Sequence, residues 1–158
     1  MTGATSLSTS AIRARWPRWL LLAGRLFLGI VFIYSGYVKV HQPWMLFAIS
    51  INSYQILPEW AAMLLARSLP WFELALGLLL VWGWMLRWSA ASAAVMFAVF
   101  LSAMLNAYHK NLDIDCGCFG YGEKLGPLTI ARDTSLLAIA LAVLAGAIFL
   151  GRRKTEIS

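Results

Sequence analysis

Two cysteines are the residues of this chain best suited to chemistry, and they lie in a single tripeptide. Cys116 and Cys118 are the only cysteines, and Gly117 separates them. Glycine allows the tight backbone turn that brings two such sulfurs together. A disulfide between them would close a small, strained ring, and strained disulfides are the more oxidising and labile ones. The tripeptide therefore favours a reversible thiol–disulfide pair.

Two other interpretations of the cysteines stay open. Thiolates bind soft ions such as Cu(I), Zn²⁺ or Hg²⁺, and His41, Met104 or His109 would add a further ligand. The sequence offers no second cysteine pair to complete a tetrahedral site, so no metal ligand set is assigned. The remaining interpretation is that both cysteines are small buried apolar residues without chemistry.

The neighbours of the two cysteines suggest an order of attack. Asp115 precedes Cys116 and disfavours its thiolate, whereas Cys118 is followed by Phe119 and Gly120. We therefore expect Cys118 to be exposed and to attack a partner, with Cys116 resolving the mixed disulfide.

The composition places this pair in a membrane protein. Of the 158 residues, 61% are apolar and 13% are charged, against roughly 45–50% and about 25% in soluble domains. The mean hydropathy is +0.73. A formal charge of +6 would suit nucleic acid, but in so apolar a chain basic residues serve to orient it in a bilayer. The composition excludes a soluble or disordered chain and predicts the lipid bilayer, and no nucleic acid, as a partner.

Four apolar runs approach the ~20 residues that a helix needs to cross a bilayer. The sequence thus predicts an all-α membrane protein, a four-helix bundle spanning 19–150. Between the first two spans, apolar residues recur at helical spacing from Trp44 to Tyr54, which fits a short interfacial helix or a loop tucked against the bundle. Residues from Glu59 extend the second span if they are helical, and Pro70 should then kink it. The predicted spans are 19–39, 69–86, 88–108 and 134–150.

Lysine and arginine counts set the predicted orientation. The tails at 1–18 and 151–158 and the Arg87 turn together hold seven, whereas the other side holds five, spread over longer segments. Both tails are therefore expected in the cytoplasm of a bacterium, with the protein in its inner membrane. The Cys-Gly-Cys loop between the third and fourth helices then faces outward, where disulfides form. The first apolar run is too long for a cleavable signal peptide and is expected to remain as a span.

Three charged residues accompany the spans, and ionisable residues inside a membrane mark functional sites by default. At 1.5 Å per residue, Arg25 lies ~9 Å from the cytoplasmic end of its span, and Glu73 lies ~6 Å from the outer face. Arg25 and Glu73 therefore lie at different depths in the membrane, whereas Lys39, at the outer end of its span, lies at a depth similar to that of Glu73. We expect a Lys39–Glu73 pair, and Arg25 either has a functional role or extends to the near interface.

The sequence resembles a known family of membrane proteins. RLFLG at 25–29, FIYSG at 32–36 and PWFE at 70–73 are similar to the first two spans of the MauE/DoxX-type proteins. The CGCFG run at 116–120 is similar to the MauE branch in particular. The resemblance covers about residues 20–150, which is nearly the whole predicted membrane domain.

The resemblance implies a protein associated with redox maturation of an exported enzyme such as methylamine dehydrogenase. On that analogy Cys116 and Cys118 exchange electrons with an extracytoplasmic thioredoxin-like partner similar to MauD. A thiolate metal binder or transporter stays open, as does a quinone-linked thiol oxidase resembling DsbB and vitamin K epoxide reductase. Those oxidases carry Cys-x-x-Cys pairs and further cysteines, which this chain lacks. An electron relay here needs a quinone or an outside partner, and no other cofactor is indicated.

Overall fold

Helices, which pair most of their backbone polar groups internally, dominate this apolar chain, as a bilayer requires. The computed structural model describes residues 5–119 and 122–155, and the side chains of 18–119 and 122–148. The parts of the two predicted tails at 1–4 and 156–158 lie outside the described residues. The helices are α1 (Thr5–His41), α2 (Trp44–Ser53), α3 (Glu59–Trp82), α4 (Leu86–His109) and α5 (Pro127–Thr155).

Four of these helices contain stretches long and apolar enough to cross a membrane, with mean hydropathies of 1.6–1.8. They fit the predicted four-helix membrane bundle. The stretches are Arg18–His41, Glu59–Trp82, Leu86–His109 and Pro127–Ile148.

Prolines and glycines, rather than the limits of the apolar runs, set several helix ends. α3 begins directly after Pro58 and continues through Pro70 to Gly83, which ends it in the left-handed conformation with φ 77°. α5 begins at Pro127, a residue suited to the first helical position. Both helices therefore start earlier than the predicted spans, and α1 is helical from Thr5, within the predicted tail.

Glycines bring the backbones of α1 and α3 into direct contact. A Cβ atom at Gly29 would lie 3.0 Å from the carbonyl oxygen of Gly77, and one at Gly77 would lie 2.8 Å from that of Gly29. A Cβ at Gly36 would lie 2.8 Å from the carbonyl oxygen of Pro70. Such small residues are what membrane helices use to approach closely, so these glycines fix the spacing of α1 and α3.

One apolar core joins all four long helices. α4 contributes Ala90, Ala93 and Ala94, which lie buried together with side chains from the other three helices. Many large apolar side chains face outward instead, and at the turn between α3 and α4 three of them are tryptophans. Tryptophan is typical of the membrane–water interface, so this outer surface suits a lipid environment. These exposed tryptophans are Trp82, Trp84 and Trp88.

The segment after α1 forms the short helix α2, one of the two structures that its apolar spacing allowed. α2 packs against α3 and buries Phe47, Ala48 and Ser50. It lies at the same end of the bundle as the loop between α4 and α5, because Tyr54 at its C-terminal end contacts Cys116. α2 therefore covers the loop that carries both cysteines.

Candidate redox site

A small hairpin holds the two cysteines between α4 and α5. Asp115 and Lys124 form an isolated antiparallel bridge. The Cys116 amide donates to the Glu123 carbonyl oxygen at 2.8 Å, and the Leu125 amide donates to the Ile114 carbonyl oxygen at 2.9 Å. This pairing places Glu123 directly opposite Cys116, although seven residues separate them in the chain.

Gly117 has to be a glycine for two reasons. Its φ of +69° lies in the left-handed region, which side chains disfavour. A Cβ atom there would also lie 3.3 Å from Cβ of Ser50 and 3.4 Å from the ring of Phe47. The tripeptide therefore turns tightly while pressed against α2.

Both cysteines are buried, with 1% of Cys116 and 8% of Cys118 exposed. The expectation that Cys118 is exposed is therefore wrong. Its neighbours in sequence suggested a flexible loop, but Cys118 contacts Ser35 of α1, Met104 of α4 and Asp133 of α5. Tyr54 holds the loop further by donating its hydroxyl to the Cys116 carbonyl oxygen at 2.8 Å. Burial, with the two thiols and Asp133 nearby, raises the pKa of Tyr54 above its ordinary value, so this donor stays protonated.

Each thiol contacts its own carboxylate. Cys116 Sγ lies 3.2 Å from Glu123 Oε2, and Cys118 Sγ lies 3.2 Å from Asp133 Oδ2. Arg132 joins the two carboxylates, because it donates to Glu123 and its Nε lies 3.0 Å from Asp133 Oδ1. These five side chains form one contiguous cluster, the thiol–carboxylate ring, in which a single guanidinium lies between two carboxylates.

The ring separates the acidities of the two thiols. A hydrogen bond from the Cys118 thiol lowers the pKa of Cys116, against the opposing effects of burial and Glu123. The same hydrogen bond raises the pKa of Cys118, and burial and the Asp133 carboxylate raise it further. Cys116 is therefore the more acidic thiol of the reduced pair and Cys118 the less acidic one. This reverses the acidity order expected from Asp115.

A second group of buried polar side chains is linked to the cysteine loop through Ser35. Lys39 Nζ is 2.6 Å from Glu73 Oε1, so the predicted ion pair is present. Lys39 also donates to Ser35 Oγ at 2.9 Å, and Ser35 donates to the Cys118 carbonyl oxygen at 2.7 Å. The pair therefore supports the cysteine loop through a single hydroxyl group.

Arg25 belongs to a different part of the bundle. It donates to the Val81 carbonyl oxygen at 3.2 Å, near the end of α3, and its guanidinium lies against Gly83. Val81 follows Glu73 by eight helical residues, or ~12 Å along the axis at 1.5 Å per residue. Arg25 thus binds a helix end and does not share the site of Glu73.

Known proteins resemble most of this chain, including the segment with both cysteines. A family model for the methylamine utilisation protein MauE matches residues 17–146. The chain belongs to this family. It is 31% identical to the methylamine utilization protein MauE of Paracoccus denitrificans over 130 residues, covering 80% of this chain and 69% of that protein. Identity to the protein of the same name from Methylorubrum extorquens is 32% over 98 residues, or 59% of this chain and 52% of that protein. No solved structure matches the chain.

In this MauE-family chain, sequence reasoning missed three members of the ring and the tyrosine that fastens it. From the sequence, Arg132 was counted only as one of the five basic residues on the outer side. Glu123, Asp133 and Tyr54 were assigned no role in the site. One signal was available for Asp133, since a carboxylate at the start of an apolar span is costly unless it has a partner. Its distance from the cysteines in sequence concealed that partner.

The candidate metal ligands are dispersed in this MauE-family structure. Met104 Sδ lies 3.9 Å from Cys118 Sγ, but His41 bonds to the Tyr37 carbonyl oxygen and His109 is exposed at the end of α4. Within the described residues, no group of three or more His, Cys, Asp or Glu side chains is arranged to hold a metal ion.

Proposed function

We propose that this MauE-family protein is a membrane-embedded thiol–disulfide redox protein of methylamine utilisation. Cys116 and Cys118 exchange electrons with an extracytoplasmic thioredoxin-like partner and so support disulfide formation in an exported protein. The thiol–carboxylate ring carries this proposal, because it gives the two sulfurs of one pair different acidities within a buried site.

The acidity difference assigns the two steps of the exchange. A thiolate of the partner attacks Cys118 Sγ of the oxidised pair, and the Cys116–Cys118 bond breaks. Cys116 leaves as the thiolate, because a thiol of lower pKa is the better leaving group. The second thiolate of the partner then attacks the partner's own sulfur in the mixed disulfide and releases Cys118. The partner gains a disulfide, and the pair gains its two electrons.

The ring supplies the proton transfers of this exchange. Asp133 Oδ2 lies 3.2 Å from Cys118 Sγ, within reach of the proton that Cys118 gains on release and loses when the disulfide forms again. Arg132 holds Asp133 in that position and balances its charge. Asp133 is therefore the base and acid of the pair, and Arg132 is a positioning residue.

The charge distribution supports the orientation that we propose for the chain. With both termini in the cytoplasm of a bacterium, the side holding seven Lys and Arg residues faces inward. The cysteine loop, at the opposite end of α4 from the Arg87 turn, then faces the periplasm. The test uses a single cysteine in place of Arg87 or of Asp113, in a background without the native pair. In intact cells an impermeant maleimide should label the cysteine at 113 and leave the cysteine at 87 unlabelled.

Trapping of the mixed disulfide tests the proposed function. In Cys116→Ser, an adduct between Cys118 and an added oxidised thioredoxin-like protein should accumulate on non-reducing gels. The reverse exchange forms the same Cys118-linked mixed disulfide, and the Cys116 sulfur that would resolve it in that direction is missing. In Cys118→Ser, little adduct should form. Failure of both variants to form any adduct would contradict the proposal.

A further inference from the structure

An apolar cavity adjoins the cysteine pair. It has a volume of about 400 Å³ and lies between α2, α3 and α4. Cys116 forms part of its wall, and apolar side chains form most of the rest. A volume of ~300–1,000 Å³ with a mostly apolar wall is usual for small-molecule sites. The principal apolar lining residues are Phe47, Ile51, Leu69, Met96, Phe100 and Ala103.

The cavity opens on the outer, lipid-facing side of the bundle. Ile56, Phe72 and Val99 line it and are each half or more exposed. Phe72 and Val99 lie within the candidate spans of α3 and α4. A ligand that is dissolved in the bilayer can therefore enter between these two helices without crossing water.

The few polar groups of the wall are already paired within the protein. Ser50 donates to the Leu46 carbonyl oxygen, and Tyr54 donates to the Cys116 carbonyl oxygen. A strongly polar or charged ligand would thus find few partners here. The chemistry of the wall selects a hydrophobic ligand, and Cys116 is its only reducing group.

We infer that this cavity binds the ring of a lipid-soluble quinone, which accepts the electrons of the Cys116–Cys118 pair. The inference rests on the proposed function, in which the pair receives two electrons from each partner molecule. A pair with no further cysteine in the chain must pass those electrons to another molecule before it can act again. A lipid chain would fill the same space but would accept no electrons.

The electron transfer balances between the pair and the quinone. Cys116 and Cys118 lose two electrons and two protons as the bond between their sulfurs forms. The quinone gains two electrons and two protons and leaves as the hydroquinone. Asp133, 3.2 Å from Cys118 Sγ, receives the proton of Cys118 and passes it on.

Quinone reduction by the isolated protein tests this inference. The reduced full-length protein, in lipid nanodiscs without oxygen, is mixed with decylubiquinone, and quinone absorbance and free thiols are followed together. We expect one quinone to be consumed for each pair of thiols lost. If wild type forms mixed disulfides with a thioredoxin-like protein but never reduces the quinone, the inference fails alone. If it does neither, the proposed function fails.

Two exposed valines of α4 provide a matched pair of variants. Val99, 62% exposed, lines the cavity, whereas Val95, 63% exposed and one turn away, does not. Val99→Trp should narrow the opening of the cavity. At quinone concentrations below saturation it should lower the rate of quinone reduction about tenfold, the effect of weakening quinone binding by ~1.4 kcal/mol. Val95→Trp should leave the rate unchanged.

An interior variant separates blockage of the opening from loss of the site. Ala103→Phe places a ring inside the cavity and should also slow quinone reduction, while monodispersity and thermal unfolding report its fold. Unchanged rates in both Val99→Trp and Ala103→Phe would overturn the inference. Equal slowing by Val99→Trp and Val95→Trp would overturn it as well.

Discussion

The Cys118 thiol lies 3.2 Å from the Asp133 carboxylate, on the second turn of α5. This contact joins a loop residue to the start of a long apolar helix and is completed by Arg132 and Glu123. Asp133 can accept the proton of Cys118, and its carboxylate also raises the pKa of that thiol. The contact therefore connects the fold of α5 to the chemistry of the cysteine loop.

Removal of the Asp133 charge should slow closure of the disulfide. When the reduced protein reacts with glutathione disulfide, the Cys116 thiolate attacks first, and Cys118 must lose its proton to displace glutathione. In Asp133→Asn this second step should fall about 10²-fold, the lower range for loss of a general base. Mass spectrometry should detect a glutathione adduct that persists. Asp113→Asn, which alters an exposed carboxylate of the same loop, should behave as wild type.

The two thiols of the reduced protein should titrate separately with pH. Thiolate absorbance should rise first below the ordinary thiol range, for Cys116, and again above it, for Cys118. Because the folded state binds fewer protons at Cys116, the free energy of unfolding should rise with pH up to the ordinary thiol pKa. Above it the free energy should fall, because folded Cys118 retains its proton.

A single variant checks the cause of this separation. Cys118→Ala removes the hydrogen bond that lowers the pKa of Cys116, so the remaining thiol should titrate at higher pH than in wild type. Two thiols that titrate together at the ordinary value in wild type would refute the assigned acidities.

Gly117→Ala should loosen the cysteine loop. The left-handed conformation costs a residue with a side chain roughly 1–2 kcal/mol, and the new Cβ would press on Ser50 and Phe47 of α2. We expect a lower thermal midpoint and faster maleimide labelling of both buried thiols. Gly126→Ala is the control, because a Cβ atom at Gly126 meets nothing within 4 Å. Equal labelling of the two variants would argue against α2 as the cover of the loop.

Loss of one member of the Lys39–Glu73 pair should destabilise the bundle. Breaking a buried pair leaves an uncompensated charge and costs ~3–5 kcal/mol. Glu73→Ala should therefore lower the yield of folded protein, and Glu73→Ala combined with Lys39→Met should restore part of it. Glu59→Ala, at the exposed start of α3, should have little effect. If Glu73→Ala leaves the yield of folded protein intact but abolishes thiol exchange, Glu73 takes part in the exchange reaction instead.

The features that sequence predicted correctly depend on local patterns. The length of an apolar run is enough to indicate a membrane helix, and the depth of a charge within its run was enough to pair Lys39 with Glu73. The shared tripeptide of Cys116 and Cys118 was enough to single them out. In each case the decisive quantity is a length or a spacing along the chain.

The features that sequence did not predict depend on how distant segments pack. The acidity of Cys116 is set by Cys118 and opposed by Glu123, and neither effect follows from the adjacent Asp115. Cys118 is buried by contacts with α1, α4 and α5, and Asp133 reaches it from the second turn of α5. The site thus depends on the register of the hairpin that carries the cysteines and on the residue at which α5 begins. The composition of the chain reveals neither.

The redox state of the two cysteines in native membranes tests the central claim most directly. Differential alkylation before and after reduction, read by mass spectrometry, measures the fraction of Cys116 and Cys118 joined in a disulfide. We predict that this disulfide is present and that its fraction falls when a reduced thioredoxin-like protein is added. Two thiols that stay reduced under all conditions while holding one soft metal ion per chain would contradict the account.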